Sequence, residues 1–166
     1  FTVVASDGVN EAVEQSVTLD INNLDEVAPF ITSSATAVAI DENSGEGQVV
    51  YTATAYDSAD TSDGVTFSLV GTDAAAFSID KDSGEVTLIA NPDHESQSEY
   101  NFTVVATDSA GNASSKLVSL AINNLDEVAP FITSSATAIA IDENLGADQV
   151  VYTATAYDSA DTSDGV

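Results

Sequence analysis

The chain has 166 residues, and its 28 acidic side chains against two lysines give a formal net charge of -26 at neutral pH. This charge makes contact with nucleic-acid phosphates or anionic membrane surfaces unfavourable, and nucleic acid is excluded as a partner. Disorder is also disfavoured, because 43% of the residues are hydrophobic and can form a core beside the charges. Without cysteine, neither a disulfide framework nor a thiolate metal site can form.

An internal repeat dominates the organisation of the chain. Residues 1–5 recur at 102–106 and residues 21–29 recur at 122–130, in both cases with an offset of 101 residues. This period matches a whole sandwich domain of about 100 residues and is longer than the roughly 30–50 residues of small solenoid repeats. We therefore predict a part of a tandem array that continues in both directions, with any secretion signal outside these residues.

The repeat predicts five segments along the chain. They are the C-terminal strands of a truncated repeat (1–22), a linker (23–28), a complete repeat (29–122), a second linker (123–129) and the N-terminal strands of a truncated following repeat (130–166). No apolar run is long enough to span a bilayer, so this segment is not expected to insert into a membrane.

Short alternating apolar runs predict seven strands in the complete repeat, because a half-buried strand alternates with period two. The first strand follows Pro29, and the others centre on 49–55, 65–69, 77–79, 86–88, 100–106 and 118–122. In the second strand, the alternation places Val49, Tyr51, Ala53 and Ala55 on one face. The predicted fold class is all-β, a seven-stranded Greek-key sandwich of immunoglobulin type, repeated in tandem.

Acidic residues follow the predicted strands at positions that should collect at two poles. Asp57 ends the second strand and Asp108 ends the sixth, which places both at the upper pole beside the incoming linker. Glu42, in the first turn, and Asp93 and Glu95, before the sixth strand, fall at the lower pole. Calcium takes six to eight oxygen ligands, whereas zinc favours histidine or cysteine, of which the chain has one and none. The acids therefore indicate calcium.

These positions resemble the calcium-binding motifs of cadherin repeats in their bacterial form. The chain has a first-turn Asp-Glu-Asn at 41–43, an Asp-His-Glu at 93–95, a linker Asn-Leu-Asp-Glu-Val at 124–128 before proline, and an Ala-Thr-Asp at 106–108. The resemblance covers the whole chain. It implies a cadherin-like sandwich and calcium ions bound at each linker.

The resemblance also implies the ligands. For the linker at 123–129 they are Glu42, Asp93, Glu95, Asn124, Asp126, Glu127, Asp158 and Asp161, and for the linker at 23–28 they are Asn23, Asp25, Glu26, Asp57, Asp60 and Asp108. Asp7 is also an implied ligand, at the position of the truncated first repeat that corresponds to Asp108. The family's Asp-x-Asp motif is changed, because Ala59 holds the second position and the acid follows one residue later.

The resemblance implies a calcium-rigidified structural or adhesive repeat of a long extracellular or cell-surface protein, such as a stalk, adhesin or fibre component. The alternative is a calcium-dependent module that binds like chains or polysaccharide. Near-identical copies favour a part whose property is length, with neighbouring repeats as its partners. An enzyme is not expected, since His94 has no serine or cysteine constellation around it.

Overall fold

The computed structural model describes residues 1–57 and 64–158, and nearly all of its regular structure is β. In chain order the strands are β1 (Thr2–Ala5), β2 (Val13–Ser16), β3 (Phe30–Ile31), β4 (Ile40–Asp41), β5 (Gln48–Thr52), β6 (Ala55–Tyr56), β7 (Val65–Val70), β8 (Phe77–Ile79), β9 (Glu85–Leu88), β10 (Glu99–Asp108), β11 (Ala113–Asn123), β12 (Phe131–Ile132) and β13 (Ala156–Tyr157). One turn of 3-10 helix, Ala74–Ala76, precedes β8. The described residues contain no helix long and apolar enough to cross a membrane.

Strands β3 to β11 form the predicted sandwich, here called the central sandwich. One sheet has the order β4-β11-β10-β7, and the other contains β3-β6 and β5-β9-β8. The short gap between β5 and β6 is bridged, since the Ala53 N–H donates to the Gly84 carbonyl at 2.8 Å and the Thr32 N–H donates to the Thr54 carbonyl at 2.8 Å. With β3 and β4 as one strand and β5 and β6 as another, the predicted seven strands are present.

The first strand changes sheets, which the sequence did not predict. Its beginning, β3, pairs antiparallel with β6, and its end, β4, pairs parallel with β11. Between them, the Ala37 N–H donates to the Ser119 carbonyl at 2.8 Å and the Ser119 N–H donates to the Ala35 carbonyl at 3.1 Å. The strand therefore closes one edge of the sandwich and covers both sheets.

A lysine fixes this crossing. The Lys116 ammonium, on β11, donates to the carbonyls of Ile31 at 2.8 Å and Ser33 at 2.6 Å. In a chain of this charge, a lysine that binds carbonyl oxygens rather than carboxylates acts as a clamp between the first and last strands.

The core lies between the two sheets and matches most of the predicted inward positions. It consists of Ile31, Ala37, Val50, Tyr51, Ala53, Phe67, Phe77, Val86, Leu88, Phe102, Val104, Ala106, Val118, Leu120 and Ile122. Phe102 packs at its centre, with ring centroids 4.6 Å from Phe77 and 6.0 Å from Tyr51.

The prediction that Val49 shares a face with Tyr51 is wrong. This side chain is 57% exposed, whereas Val50 and Tyr51 are both buried. The pairing of β5 with β9 shifts register between Val49 and Tyr51, so two successive side chains point inward. A bulge of this kind breaks strict alternation, and no residue type in the run signals it.

The acids lie in loops at two opposite ends of the central sandwich. Strand β6 ends one residue before Asp57, and β10 ends at Asp108, which defines the upper pole. Glu42 follows β4, and Asp93 lies between β9 and β10, which defines the lower pole. The alternating strand directions thus separate the acids as predicted.

Gly84 generates a stability prediction, because it combines a left-handed backbone with a close contact. Its φ is +74°, and a Cβ there would lie 2.4 Å from the Ala53 carbonyl oxygen. Gly47 has a φ of +72° but open space around it. We expect Gly84→Ala to lower the free energy of unfolding by about 3 kcal/mol, from backbone strain plus overpacking.

Gly47→Ala is the matched control and should cost about 1–2 kcal/mol, since it carries the backbone strain alone. Urea unfolding of both variants measures the difference. Equal losses of stability in the two variants would show that the close contact with Ala53 does not constrain the turn between β8 and β9.

Candidate metal site

Two groups of acids come together among the described residues, one at each pole. Asp25, Asp57 and Asp108 form what we call the upper cluster, and Glu42, Asp93 and Glu95 form the lower cluster. Within each cluster, one carboxylate oxygen per residue lies within 4.8 Å of the others. The upper cluster draws its acids from three distant chain segments and the lower cluster from two, the first turn and the turn at 93–95.

Among the described residues, Glu42 is the most deeply buried acid, with 1% of its surface exposed. Its Oε1 accepts the Leu125 N–H at 2.6 Å, and its Oε2 accepts the His94 N–H at 2.8 Å. The hydrogen bonds from Leu125 and then His94 hold the pKa of Glu42 below its ordinary value. The carboxylate therefore joins the first turn, the loop before β10 and the second linker.

The other two lower-cluster acids belong to a tight turn. Asp93 accepts the Ser96 N–H at 3.0 Å and the Ser96 hydroxyl at 2.9 Å, and these bonds lower the pKa of Asp93. His94 Nδ1 lies 3.4 Å from Glu95 Oε1. This turn keeps both carboxylates beside Glu42.

The second linker contacts the lower cluster through amides. Asn43, which has a φ of +57°, donates from its side chain to Glu127 Oε1. Asn91 Nδ2 in turn donates to Asn43 Oδ1 at 3.3 Å. The Asp126 Oδ1 accepts the Val128 N–H at 3.1 Å, which caps the linker turn. The amides thus hold Glu127 next to the first turn.

The upper cluster is organised by the turn after β10. Asp108 accepts the Asn112 N–H at 2.8 Å and the Asn112 side-chain amide at 3.0 Å. Burial raises the pKa of Asp108, but the bonds from Asn112 and the backbone N–H groups of Gly111 and Ala110 outweigh it, so the net pKa is lowered. The carboxylate is therefore held in its ionised form at a position that is 6% exposed.

The donor set suits calcium. Every acid in both clusters offers hard oxygen ligands, and hydrogen bonds to Glu42, Asp93 and Asp108 favour the ionised form that binds a metal. Among the described residues, Asp25 Oδ2 and Asn124 Oδ1 are buried oxygens without a hydrogen-bond partner. A buried unsatisfied oxygen costs about 1–3 kcal/mol, which a coordinated cation would offset. In calcium-bound form, the clusters and linker oxygens would hold the ion, which would bring the acids together and restrain the linkers.

Not every predicted ligand joins a cluster. Asp7 instead caps its own turn, where bonds from Asn10 and Val9 lower the pKa of Asp7 to about 2. Asn23 and Glu26 are exposed, and Asp158 is half-buried after β13. Asp60 and Asp161 lie outside the described residues, so the shifted Asp-x-Asp acid remains a prediction.

Asn43 and Asn112 were missed by the sequence analysis, as were the backbone donors of His94 and Leu125. The sequence could have indicated the two asparagines, because each follows an acid within one turn and asparagine side chains commonly cap such turns. The backbone donors had none, since they depend on how three separate segments meet.

Comparison with known proteins identifies the fold. The family model of the Cadherin domain matches residues 36–123, more than half of the chain. The chain belongs to the cadherin family. Cadherin-99C of Drosophila melanogaster is 28% identical over 99% of this chain, and protocadherin Fat 2 of Mus musculus is 30% identical over 98%. The chain spans only 10% and 4% of the length of these relatives.

Solved cadherin structures show the same sandwich. Human protocadherin-24 EC1-2 has a TM-score of 0.62 and 25% identity, covering 84% of this chain and 63% of that one. Mouse cadherin-23 EC22-24 has a TM-score of 0.59 and 23% identity, covering 99% of this chain and 54% of that one. The cadherin-like sandwich is therefore confirmed. The relatives named here are animal proteins, so the expected bacterial form stays a prediction.

The lowered pKa values predict how the stability of this cadherin sandwich depends on pH when a chelator has removed calcium. The pKa values of Glu42, Asp93 and Asp108 are lower in the folded chain than when unperturbed. The stability they contribute is therefore present above the ordinary carboxyl pKa values, and acidification removes it from about pH 5 downward. Urea unfolding between pH 7 and pH 3 should show this loss.

Glu42→Gln should make this pH dependence shallower and lower the stability at pH 7, because the amide cannot accept both backbone N–H groups. Glu46→Gln removes the same charge from the same turn at an exposed position and serves as the control. Equal profiles for the two variants would contradict a special role of Glu42.

Proposed function

We propose that this chain is a calcium-rigidified structural or adhesive part of a long extracellular protein, such as a stalk, adhesin or fibre component. In this proposal the chain divides at the predicted boundaries, with calcium-binding linkers at 23–28 and 123–129 between one complete and two partial repeats. The observation that carries the proposal is the placement of the two acidic clusters, which lie at opposite poles of the sandwich and each include or contact a linker.

The lower cluster supports one half of a junction. Glu42 accepts the Leu125 N–H, and Asn43 contacts Glu127, so the second linker lies against the acids of the sandwich that precedes it. Calcium bound by Glu42, Asp93 and Glu95 would add ionic bonds between the same segments. Cation binding at this pole would thereby fix the direction in which the chain leaves the sandwich.

The upper cluster supports the other half of a junction. Asp25 comes from the first linker, and Asp57 and Asp108 come from the sandwich that follows it. Because the sequence repeats with an offset of 101 residues, Asp126 and Asp158 are the counterparts of Asp25 and Asp57 at the second linker. A full junction would therefore combine a lower cluster with the next upper cluster around six or seven linker residues.

Charge explains why calcium would change the mechanics. Three carboxylates within 4.8 Å repel one another without a cation, so in an apo junction the hydrogen bonds from Leu125 and Asn112 must act against this repulsion. Binding to the ordered junction alone stabilises that arrangement in proportion to RT ln(1 + [L]/Kd). Extracellular calcium modules typically have dissociation constants of about 10⁻⁴ to 10⁻³ M, so millimolar calcium would keep the rod stiff.

The dimensions suit a spacer. The longest strand, β11, has 11 residues and spans about 37 Å at about 3.4 Å per residue. With its linker, each repeat would add about 40 Å to an array. Near-identical copies fit this role because the property that matters is length.

Calcium titration with small-angle scattering tests the proposal. We expect the 166-residue chain to bind calcium with a dissociation constant of about 10⁻⁴ to 10⁻³ M and to become less flexible when bound. Asp126→Ala with Glu127→Ala should weaken binding at the second linker by at least about tenfold and leave the sandwich folded.

The control is Glu11→Ala with Glu14→Ala, which removes the same charge from exposed positions away from the second linker. In this control variant, the calcium affinity of the second linker should match that of the unchanged chain. Identical scattering with calcium and with chelator would mean that calcium does not stiffen the linkers.

A second function, calcium-dependent binding of like chains or polysaccharide, is favoured by one observation. Phe30 and Tyr56 are cross-strand neighbours and are 70% and 65% exposed. Their copies, Phe131 and Tyr157, pair in the same way and are 55% and 56% exposed, with ring centroids 5.7 Å apart. The two pairs present the same aromatic surface twice along the chain.

The surroundings of each aromatic pair suit contact with an uncharged partner surface. Residues 28–40 and 47–56 contain no acidic or basic side chain, although the chain carries a net charge of -26. Beside the aromatic pair, Thr32 Oγ1 lies 2.8 Å from Thr54 Oγ1, which adds exposed hydroxyl groups. Aromatic rings and hydroxyls can pack against a sugar ring or against the same surface of another chain.

Replacement of all four aromatics by serine tests this second function. We expect calcium-dependent self-association, measured by sedimentation, or retention on neutral polysaccharide gels to be lost. The single change Leu117→Ser removes a 61% exposed apolar side chain from β11 and is the control. If the unchanged chain neither associates nor is retained in calcium, the spacer role stands alone.

A further inference from the structure

We infer that Asn112 is a positioning residue that attaches the first linker to the sandwich before calcium binds, an inference that rests on the proposed function. The sequence motifs assign ligands only, and Asn112 is not among them. Its side chain instead joins two of the groups that carry ligands. It would therefore decide how well ordered the upper cluster is without metal.

The side-chain amide of Asn112 uses both of its donor positions at this junction. Its Nδ2 lies 3.0 Å from the Asp25 carbonyl oxygen and 3.0 Å from Asp108 Oδ2. An amide NH₂ group has two hydrogens, so both bonds can form at once. One bond is to the linker backbone, and the other is to a buried acid of the sandwich.

The backbone of Asn112 fixes the amide in place. Its N–H donates to Asp108 Oδ1 at 2.8 Å, and its carbonyl accepts the Asp108 N–H at 3.1 Å. Three bonds therefore connect Asn112 with Asp108, so the side chain is anchored on the sandwich. The linker residue Asp25 is the part that it restrains.

This restraint orients the Asp25 carboxylate. With its carbonyl held by Asn112, Asp25 uses Oδ1 to accept the Val27 N–H at 3.1 Å, and Oδ2 remains buried beside Asp57 and Asp108. A ligand that is already in place loses less conformational freedom when the ion binds, and preorganisation raises affinity in this way. Asn112 would thus raise calcium affinity without touching the ion.

The attachment differs between copies of the repeat. The residue 101 positions before Asn112 is Glu11, and Asp7, the counterpart of Asp108, is capped by Asn10 Nδ2 at 2.6 Å. Glutamate has no side-chain hydrogen to donate when ionised. Copies with nearly the same ligands would therefore differ in apo order, so an array would soften at some junctions before others as calcium falls.

Hydrogen exchange, followed by mass spectrometry, tests this because peptides covering 22–28 and 123–129 report each linker separately. In chelator, Asn112→Ala should raise the exchange rate of residues 22–28 by about threefold to tenfold and leave residues 123–129 unchanged. In a calcium titration, the midpoint of protection at 22–28 should move to about threefold to tenfold higher calcium.

Asn101→Ala is the matched control, because its side-chain amide donates to the exposed Glu99 carboxylate, at 2.9 Å on the same strand and away from both linkers. Exchange of the core amides of β10 and β11 reports whether the sandwich itself has weakened. Unchanged exchange at 22–28 in chelator, with the core intact, would overturn the inference. An equal rise at 22–28 and in the core would overturn it too, since Asn112 would then act on the fold.

The two measurements separate this inference from the proposed function. The chelator comparison decides the role of Asn112 without any metal. Calcium protection of the unchanged chain decides whether the linkers bind calcium at all.

Discussion

The carboxylate of Glu42 is the point on which the lower pole depends. It is almost completely buried and carries a charge, and it accepts backbone N–H groups from His94 and Leu125, which lie in different parts of the chain. Burial of an unpaired charge would be strongly unfavourable, so the first turn, the loop before β10 and the second linker must meet for the sandwich to close there. Folding of the sandwich and placement of the linker are therefore one event at this pole.

The same chemistry leaves a charge that the protein does not neutralise. Hydrogen-bond donors lower the pKa values of Glu42, Asp93 and Asp108, yet the chain has only two lysines, and neither of them lies in a cluster. Lys116 binds carbonyl oxygens, and Lys81 pairs with the exposed Asp82. Hydrogen bonds thus shape the acidic sites, and in the proposed function a mobile cation would supply the attraction. This division suits a protein whose stiffness follows the composition of its surroundings.

Sequence reasoning predicted the sandwich, because apolar alternation and turn residues reflect which side of a strand is buried. Strand direction also predicted five of the six acids that form the two clusters, because it decides which strand ends meet, and the resemblance to cadherin repeats added the sixth, Asp25. Sequence reasoning could not predict the bulge at Val49 and Val50 or the crossing of the first strand between sheets, which depend on register and packing. The roles of Asn43 and Asn112 were likewise hidden, because an amide in a turn has the same sequence appearance whether it contacts solvent or a linker.

The crossing of the first strand has a mechanical consequence. This strand enters at the upper pole and runs parallel to β11, which leaves at the lower pole, so tension along an array pulls the two strands past each other in opposite directions. Their bonds, from Ala37 and Ser119 to the Lys116 clamp, lie across that direction and are loaded together in shear rather than opened one after another. Force applied along the array therefore acts on the pairing between the first strand and β11, where many weak contacts must break at the same time.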